Sequence, residues 1–163
     1  MKIKKINNSK NRTNTFLWIY GKHAVIAAIE NNDRKINEVL ISTDNIEIRK
    51  VIEEKINKFN RTLNINYVSK KIIESKFKFS VKHQGVVAKC ERLLFKNYRE
   101  IFNTYRNKEY GIVIDGITDP QNVGAIYRSS YLFKASFILK EEKNTPIESS
   151  SLLSASSGTF DKL

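Results

Sequence analysis

The chain has 163 residues, 40% of them apolar and 28% charged, with 29 Lys+Arg against 17 Asp+Glu and a formal net charge of +12. This length allows one domain or two small ones, and no apolar run approaches the roughly 20 residues of a membrane span. A single cysteine, Cys90, excludes an internal disulfide and suits a reducing compartment, so a cytoplasmic setting is expected. His23 and His83 have no partner at ligand spacing, so no metal is expected.

Residues 1–15 open with five basic and no acidic side chains and show no apolar period, which reads as a disordered basic arm. Phe16 to Tyr20 is apolar but too short for a signal-peptide core. Gly21 to Glu30 is an Ala-rich helix candidate that packs inward. Asn31-Asn32-Asp33 ends it, and Ile36 to Ser42 alternates as a strand. Ile48, Val51, Ile52, Ile56 and Phe59 mark one face of a second helix, and Leu63 to Val68 alternates strictly. Ser69 is positioned to cap a short helix over residues 70–75. Lys82-His83-Gln84-Gly85 forms a turn before a strand from Val86 to Cys90. Strands and helices therefore alternate through residues 16–92 as a small α/β domain. Tyr98, Ile101, Phe102 and Tyr105 recur at helical spacing, making 93–107 an amphipathic connector, and Asn107-Lys108-Glu109 is the expected boundary.

The charge is unevenly placed. Residues 1–107 hold 23 Lys+Arg against 10 Asp+Glu, whereas residues 108–163 hold 6 against 7. A lysine-rich compositional bias is one source of such an excess, but bias alone does not leave the last third acidic. The front of the chain is thus expected to grip a polyanion, RNA or DNA.

Beyond the boundary, Ile112-Val113-Ile114 reads as a buried strand ending at Asp115-Gly116. Pro120 holds the following loop open through Asp119, and Asn122 is the expected N-cap of a helix bearing Val123, Ile126, Tyr127, Ser130 and Tyr131 on one face. Gly124 would admit a ligand's close approach, and Arg128, four residues on, supplies a fixed cation with five donors. Strand end, helix N-terminus and arginine together suggest a corner for a phosphate or a ribose. An ordinary helix cap and a solvated arginine are the plain alternatives. Ala135 to Leu139 is a second strand candidate, followed by a charged loop at 140–144 and a serine-rich stretch, 149–160.

The ordered run from Asp115 to Ser129, with Asp119, Pro120, Asn122, Gly124 and Arg128 in register, resembles the first signature motif of the SpoU/TrmH class of SPOUT RNA methyltransferases. Tyr20-Gly21-Lys22-His23-Ala24-Val25 and His83-Gln84-Gly85-Val86-Val87-Ala88 resemble phrases of the ribosomal-protein-like substrate-binding domain in the 23S rRNA guanosine 2′-O-methyltransferase branch. The serine-rich stretch resembles the family's Ser-Ala-Gly segment.

The resemblance implies an α/β fold: a small substrate-binding domain, then the first part of a knotted methyltransferase domain over 108–163, with the knot portion missing. It implies transfer of a methyl group from S-adenosylmethionine to a ribose 2′-hydroxyl of RNA, with Asn122 and Arg128 as the catalytic residues. It also implies RNA contact through Lys22, His23, His83, Gln84 and Gly124, and a possible homodimer. An arginine stays protonated, so Arg128 is expected to clamp phosphate and lower the hydroxyl pKa rather than act as base. No residues are assigned to the methyl donor, because the glycine-rich second motif and the third motif are absent from the sequence, and a form inactive alone is expected. Where the family places Gly after the helix, this chain has Lys134, a strain of roughly 1 kcal/mol if left-handed geometry is kept. The competing reading is a basic RNA-binding module without chemistry. A hydrolase built on Asp115 and Asp119 lacks a metal pair or an acid/base partner.

Overall fold

The computed structural model describes residues 16–105, 110–141 and 144–163. The basic arm, the boundary at 107–109 and part of the charged loop lie outside them. A four-stranded mixed sheet forms from β1 (Phe16–Tyr20), β2 (Ile36–Ser42), β3 (Ile65–Val68) and β4 (Val86–Glu91), in the order β1-β4-β2-β3. β4 runs antiparallel to both its neighbours, and β2 and β3 are parallel. The Ile36 to Ser42 strand and the short helix after Ser69 form where expected, the latter as α3 (Lys70–Glu74).

Helices α1 (Lys22–Glu30) and α2 (Ile46–Lys58) cover one face of the sheet. The reason is local. Alternating strand side chains Leu17, Ile19, Val39, Ile41, Val86 and Ala88 point to that side and meet Val25, Ala28, Ile48, Ile52 and Ile56. α2 is capped by Asn45, whose side chain accepts the Ile48 amide at 3.0 Å. On the other face α3 places Ile73 over Tyr20, Leu40 and Val87. β1 was not foreseen as a strand. Its five apolar residues do not alternate with polar ones because both of its faces bear apolar side chains.

The connector helix α4 (Tyr98–Thr104) starts with a reciprocal cap, in which the Asn97 side chain accepts the Arg99 and Glu100 amides and Glu100 accepts the Asn97 amide. Strands β5 (Gly111–Ile114) and β6 (Phe137–Lys140) then pair in parallel around α5 (Pro120–Leu132). α6 (Ser150–Ala155) and a 3-10 turn, Thr159–Asp161, follow from the serine-rich stretch, which had carried no helical expectation. Leu152, Leu153 and Phe160 lie in the same hydrophobic cluster as β1 and α1, together with Ile114, Val123 and Tyr127. The apolar core therefore runs without a break from the four-stranded sheet to α5.

Candidate RNA-contact and ribose-side site

The N-cap of α5 is Asp119, not Asn122. Its carboxylate accepts the amides of Gln121 at 3.2 Å and Asn122 at 3.3 Å, and Pro120 takes the first helical position, where it has no amide to leave unpaired. This corrects the expected boundary by one turn: an extended Asp119 is already the geometry a cap requires, so the helix begins where the loop was expected to continue. Asn122 consequently lies in the first turn, exposed.

Gly124 is buried, and the close approach it permits is made by protein. A Cβ there would lie 2.5 Å from the Ala155 Cβ and 2.9 Å from the Ser156 amide nitrogen. The expectation that this glycine admits a ligand is thus replaced by helix-to-helix packing against α6. Arg128, on the same side, donates through Nη1 to the carbonyl of Ala155, one of the last carbonyls of α6, while its side chain remains exposed. Six residues separate Asn122 from Arg128, so helix geometry sets them roughly 9 Å apart along the axis and about 120° apart around it.

In the four-stranded region the turn before β4 binds the start of α1. The Gln84 side chain accepts the Lys22 amide at 2.9 Å, and its carbonyl accepts from the Asn45 side chain at 3.3 Å. This brings Lys22, Gln84 and the starts of α1 and α2 to one edge of the sheet. His83, by contrast, is 8% exposed and its Nδ1 accepts the Gly85 amide at 3.0 Å. Its ring is committed to the turn. His23 is exposed, and its backbone carbonyl lies against Gly158, where a Cβ would come within 2.6 Å. Beside this edge, a hollow of about 530 Å³ holds Arg49 stacked 4.3 Å from the Tyr67 ring centroid and bonded to Glu53 at 2.9 Å.

Three charged residues escaped the sequence reading. Arg34, fully buried, pairs with Glu148 and, through Nε at 2.8 Å, with Asp161. It also donates to the Glu91 carbonyl at 3.0 Å, while the second oxygen of Glu148 accepts the Leu93 amide at 2.9 Å. Burial alone would lower the Arg34 pKa, but the two carboxylates outweigh it and hold the guanidinium more firmly charged. This cluster ties the sheet to the segments on both sides of α6. Nothing in Asp33-Arg34-Lys35 sets the arginine apart from a loop cation. Cys90 is buried, and desolvation pushes its thiol up to about 12, so it is no nucleophile at neutral pH.

The hollow between β5 and α5, about 280 Å³, is walled by Ile112, Ala125, Ile126 and Phe133 and offers only hydroxyls from Tyr110, Ser129 and Ser130, with no carboxylate. Of the glycines from β5 onward, Gly111, Gly124 and Gly158 are packed against protein, whereas Gly116, at φ +66° after β5, has open space beside it. The described residues contain no group of three or more His, Cys, Asp or Glu that could hold a metal ion, and no helix long and apolar enough to cross a membrane.

Residues 18–95 match the family described as RNA 2′-O ribose methyltransferase substrate binding. The chain is 28% identical over 161 residues to a 23S rRNA (guanosine-2′-O-)-methyltransferase RlmB from Xylella fastidiosa, covering 96% of this chain and 61% of that one. To the mitochondrial rRNA methyltransferase 1 of Schizosaccharomyces pombe it is 25% identical over 170 residues, covering 88% and 56%. In fold it is similar to the SpoU methyltransferase AviRb of Streptomyces viridochromogenes, solved in complex with AdoMet. The TM-score is 0.71 at 17% identity, over 91% of this chain and 54% of that one. The AdoMet-bound rRNA methyltransferase of Sinorhizobium meliloti gives 0.65 at 21% identity, over 91% and 52%. The chain thus spans little more than half the length of these relatives. Residues 18–95 thus match the substrate-binding family, and the chain as a whole is similar in sequence and in α/β fold to RNA methyltransferases of the SpoU class.

Proposed function

We propose that this chain carries the RNA-gripping and ribose-side parts of an S-adenosylmethionine-dependent RNA 2′-O-ribose methyltransferase acting on ribosomal RNA, 23S by likeness to the bacterial relatives. The observation that carries this reading is the substrate-binding match over 18–95 joined, through one continuous core, to a helix bearing the motif residues Asn122 and Arg128. In this reading Lys22, His23 and Gln84 contact RNA. Asn122 holds the ribose by its amide. Arg128, already hydrogen-bonded to a carbonyl and exposed, steadies a substrate phosphate and stabilises the alkoxide as the 2′-proton leaves. S-adenosylmethionine supplies the methyl group, and the residues described here do not form its pocket. A cytoplasmic setting and pairing of two copies belong to the same proposal.

Two titrations of the chain test it. With a 23S rRNA fragment, binding is expected and should weaken steeply between low and physiological salt, by roughly 10³-fold or more if six or more phosphates are contacted. With S-adenosylmethionine alone, no binding heat is expected. Absence of salt-dependent RNA binding would overturn the reading; donor binding would overturn the assignment of the donor pocket elsewhere.

A further inference from the structure

The face of the four-stranded sheet away from α1 and α2 is only partly covered. α3 and the residues after it close the end over Tyr20, Leu40 and Val87, with the Phe77 ring edge-on to Tyr20 at 5.3 Å. Toward the start of β1 the described residues leave the face open, with Phe16 38% exposed and Trp18 half-buried beside it. The two rings stand two residues apart on one strand and so share a side. Lysines flank both. Lys89, directly opposite Trp18 in the β1–β4 pairing, holds its ammonium 5.3 Å from the Phe16 ring centroid, and Lys76 holds its own 5.6 Å from that of Trp18. Two acids share this face: Glu38, hydrogen-bonded by the Asn66 side chain at 2.9 Å, and Glu91, opposite Phe16 in the β1–β4 pairing and 3.7 Å from the Lys35 ammonium.

We infer that this open face is a stacking platform for a single-stranded stretch of the RNA, an inference that rests on the RNA-binding reading above and adds a second contact surface to it. Bases lie on Phe16 and Trp18, and the neighbouring phosphates take Lys76 and Lys89. Every base has a π-face, so such stacking is tolerant of sequence, and the ammoniums that lie over the two rings move aside to the neighbouring phosphates when a base takes their place. The spacing adds a constraint. Two residues along a strand span about 6.6 Å, nearly twice the roughly 3.4 Å between successive bases of one strand in a duplex. Both rings can be used together only by an unstacked strand, so the platform selects against duplex.

The chain contains one tryptophan, which makes Trp18 emission a direct reporter. The full chain is titrated at low salt with a ten-residue oligouridylate while that emission is followed, and in parallel with a fully paired RNA hairpin by gel mobility. Saturable quenching by the oligouridylate, reversed by added salt, is expected. Phe16→Ala, at a partly exposed strand start, should weaken it about tenfold, and Lys89→Gln should also weaken it; thermal melts confirm that both remain folded. Hairpin binding with unchanged Trp18 emission on adding oligouridylate overturns the platform and leaves the broader reading intact. Failure of both RNAs to bind removes both. Quenching that Phe16→Ala leaves unaltered, or an emission change driven by protein concentration without RNA, also overturns the platform, the latter pointing to a second copy on this face.

Discussion

The four-stranded sheet and the β5–β6 pair solve the same problem differently. The first has helices on both faces, and its inward side chains Ile19, Val39, Ile41, Val86 and Ala88 are inaccessible. The second has two strands and one crossing helix, and it leaves Val113 71%, Leu132 75% and Phe133 71% exposed. What holds the second region in place is therefore its contact with the first: Leu152, Leu153 and Phe160 in the shared core, glycine against helix at Gly124, and the buried Arg34 cluster. The charge follows the same division, since the excess of lysine and arginine lies before residue 108. The basic region and the nearly neutral one thus share one core and one buried ion cluster.

The largest effect should come from cutting the seam. Arg34→Ala strands two carboxylates, Glu148 and Asp161, in the interior and is expected to cost about 3–5 kcal/mol in chemical denaturation. The triple change Arg34→Met, Glu148→Gln and Asp161→Asn should recover much of that loss, because no uncompensated buried charge remains. Full destabilisation by the triple variant would mean that packing, rather than charge, holds the regions together.

Gly124→Ala comes next. Alanine gains about 1 kcal/mol of helix propensity over glycine, but its Cβ would sit 2.5 Å from Ala155 and 2.8 Å from that residue's carbonyl carbon, so one helix must shift. A net loss of about 1–3 kcal/mol is expected by thermal melting. A gain would show that α6 yields freely.

Lys134→Gly should act in the opposite direction. Lys134 ends α5 at φ +61°, the left-handed geometry expected where a glycine is missing, with the Ala135 amide closing on the Ser130 carbonyl at 2.9 Å. Relief of that strain is expected to stabilise by about 1 kcal/mol.

The smallest effect depends on pH. Burial alone would raise the Glu30 carboxyl, but Lys55 at 2.7 Å and Lys162 at 3.6 Å hold it below the usual carboxylate range. Because the folded pKa is depressed, this stabilisation is present above the unfolded value of 4.5 and is lost as pH falls through the folded one. Glu30→Gln should cost about 0.5 kcal/mol at pH 7, and the difference should close in acid below pH 4.5.

Much of this was legible in the sequence because the signals are local. The spacing of Ile48, Ile52 and Ile56 gives α2, and the turn ending at Gly85 precedes the strand from Val86 as expected. The register of Asp119, Pro120, Asn122, Gly124 and Arg128 pointed to the family. What was hidden depends on contacts distant in the chain. Gly124 looked like a place for a ligand because Ala155 is 31 residues away, and Arg34 looked solvated because its partners lie at 148 and 161. β1 escaped notice because a strand with apolar side chains on both faces lacks the period of two that announces one.

The division of labour is tested most directly by the affinity of the full chain for a 23S rRNA fragment across a salt series, measured for the unaltered protein, for Arg128→Ala and for Lys22→Gln combined with Lys89→Gln. Arg128→Ala should bind within about twofold at every salt concentration. The double lysine variant should bind more weakly and lose roughly two units from the slope of log affinity against log salt. Loss of binding in Arg128→Ala, with the lysine variant unaffected, would contradict the account.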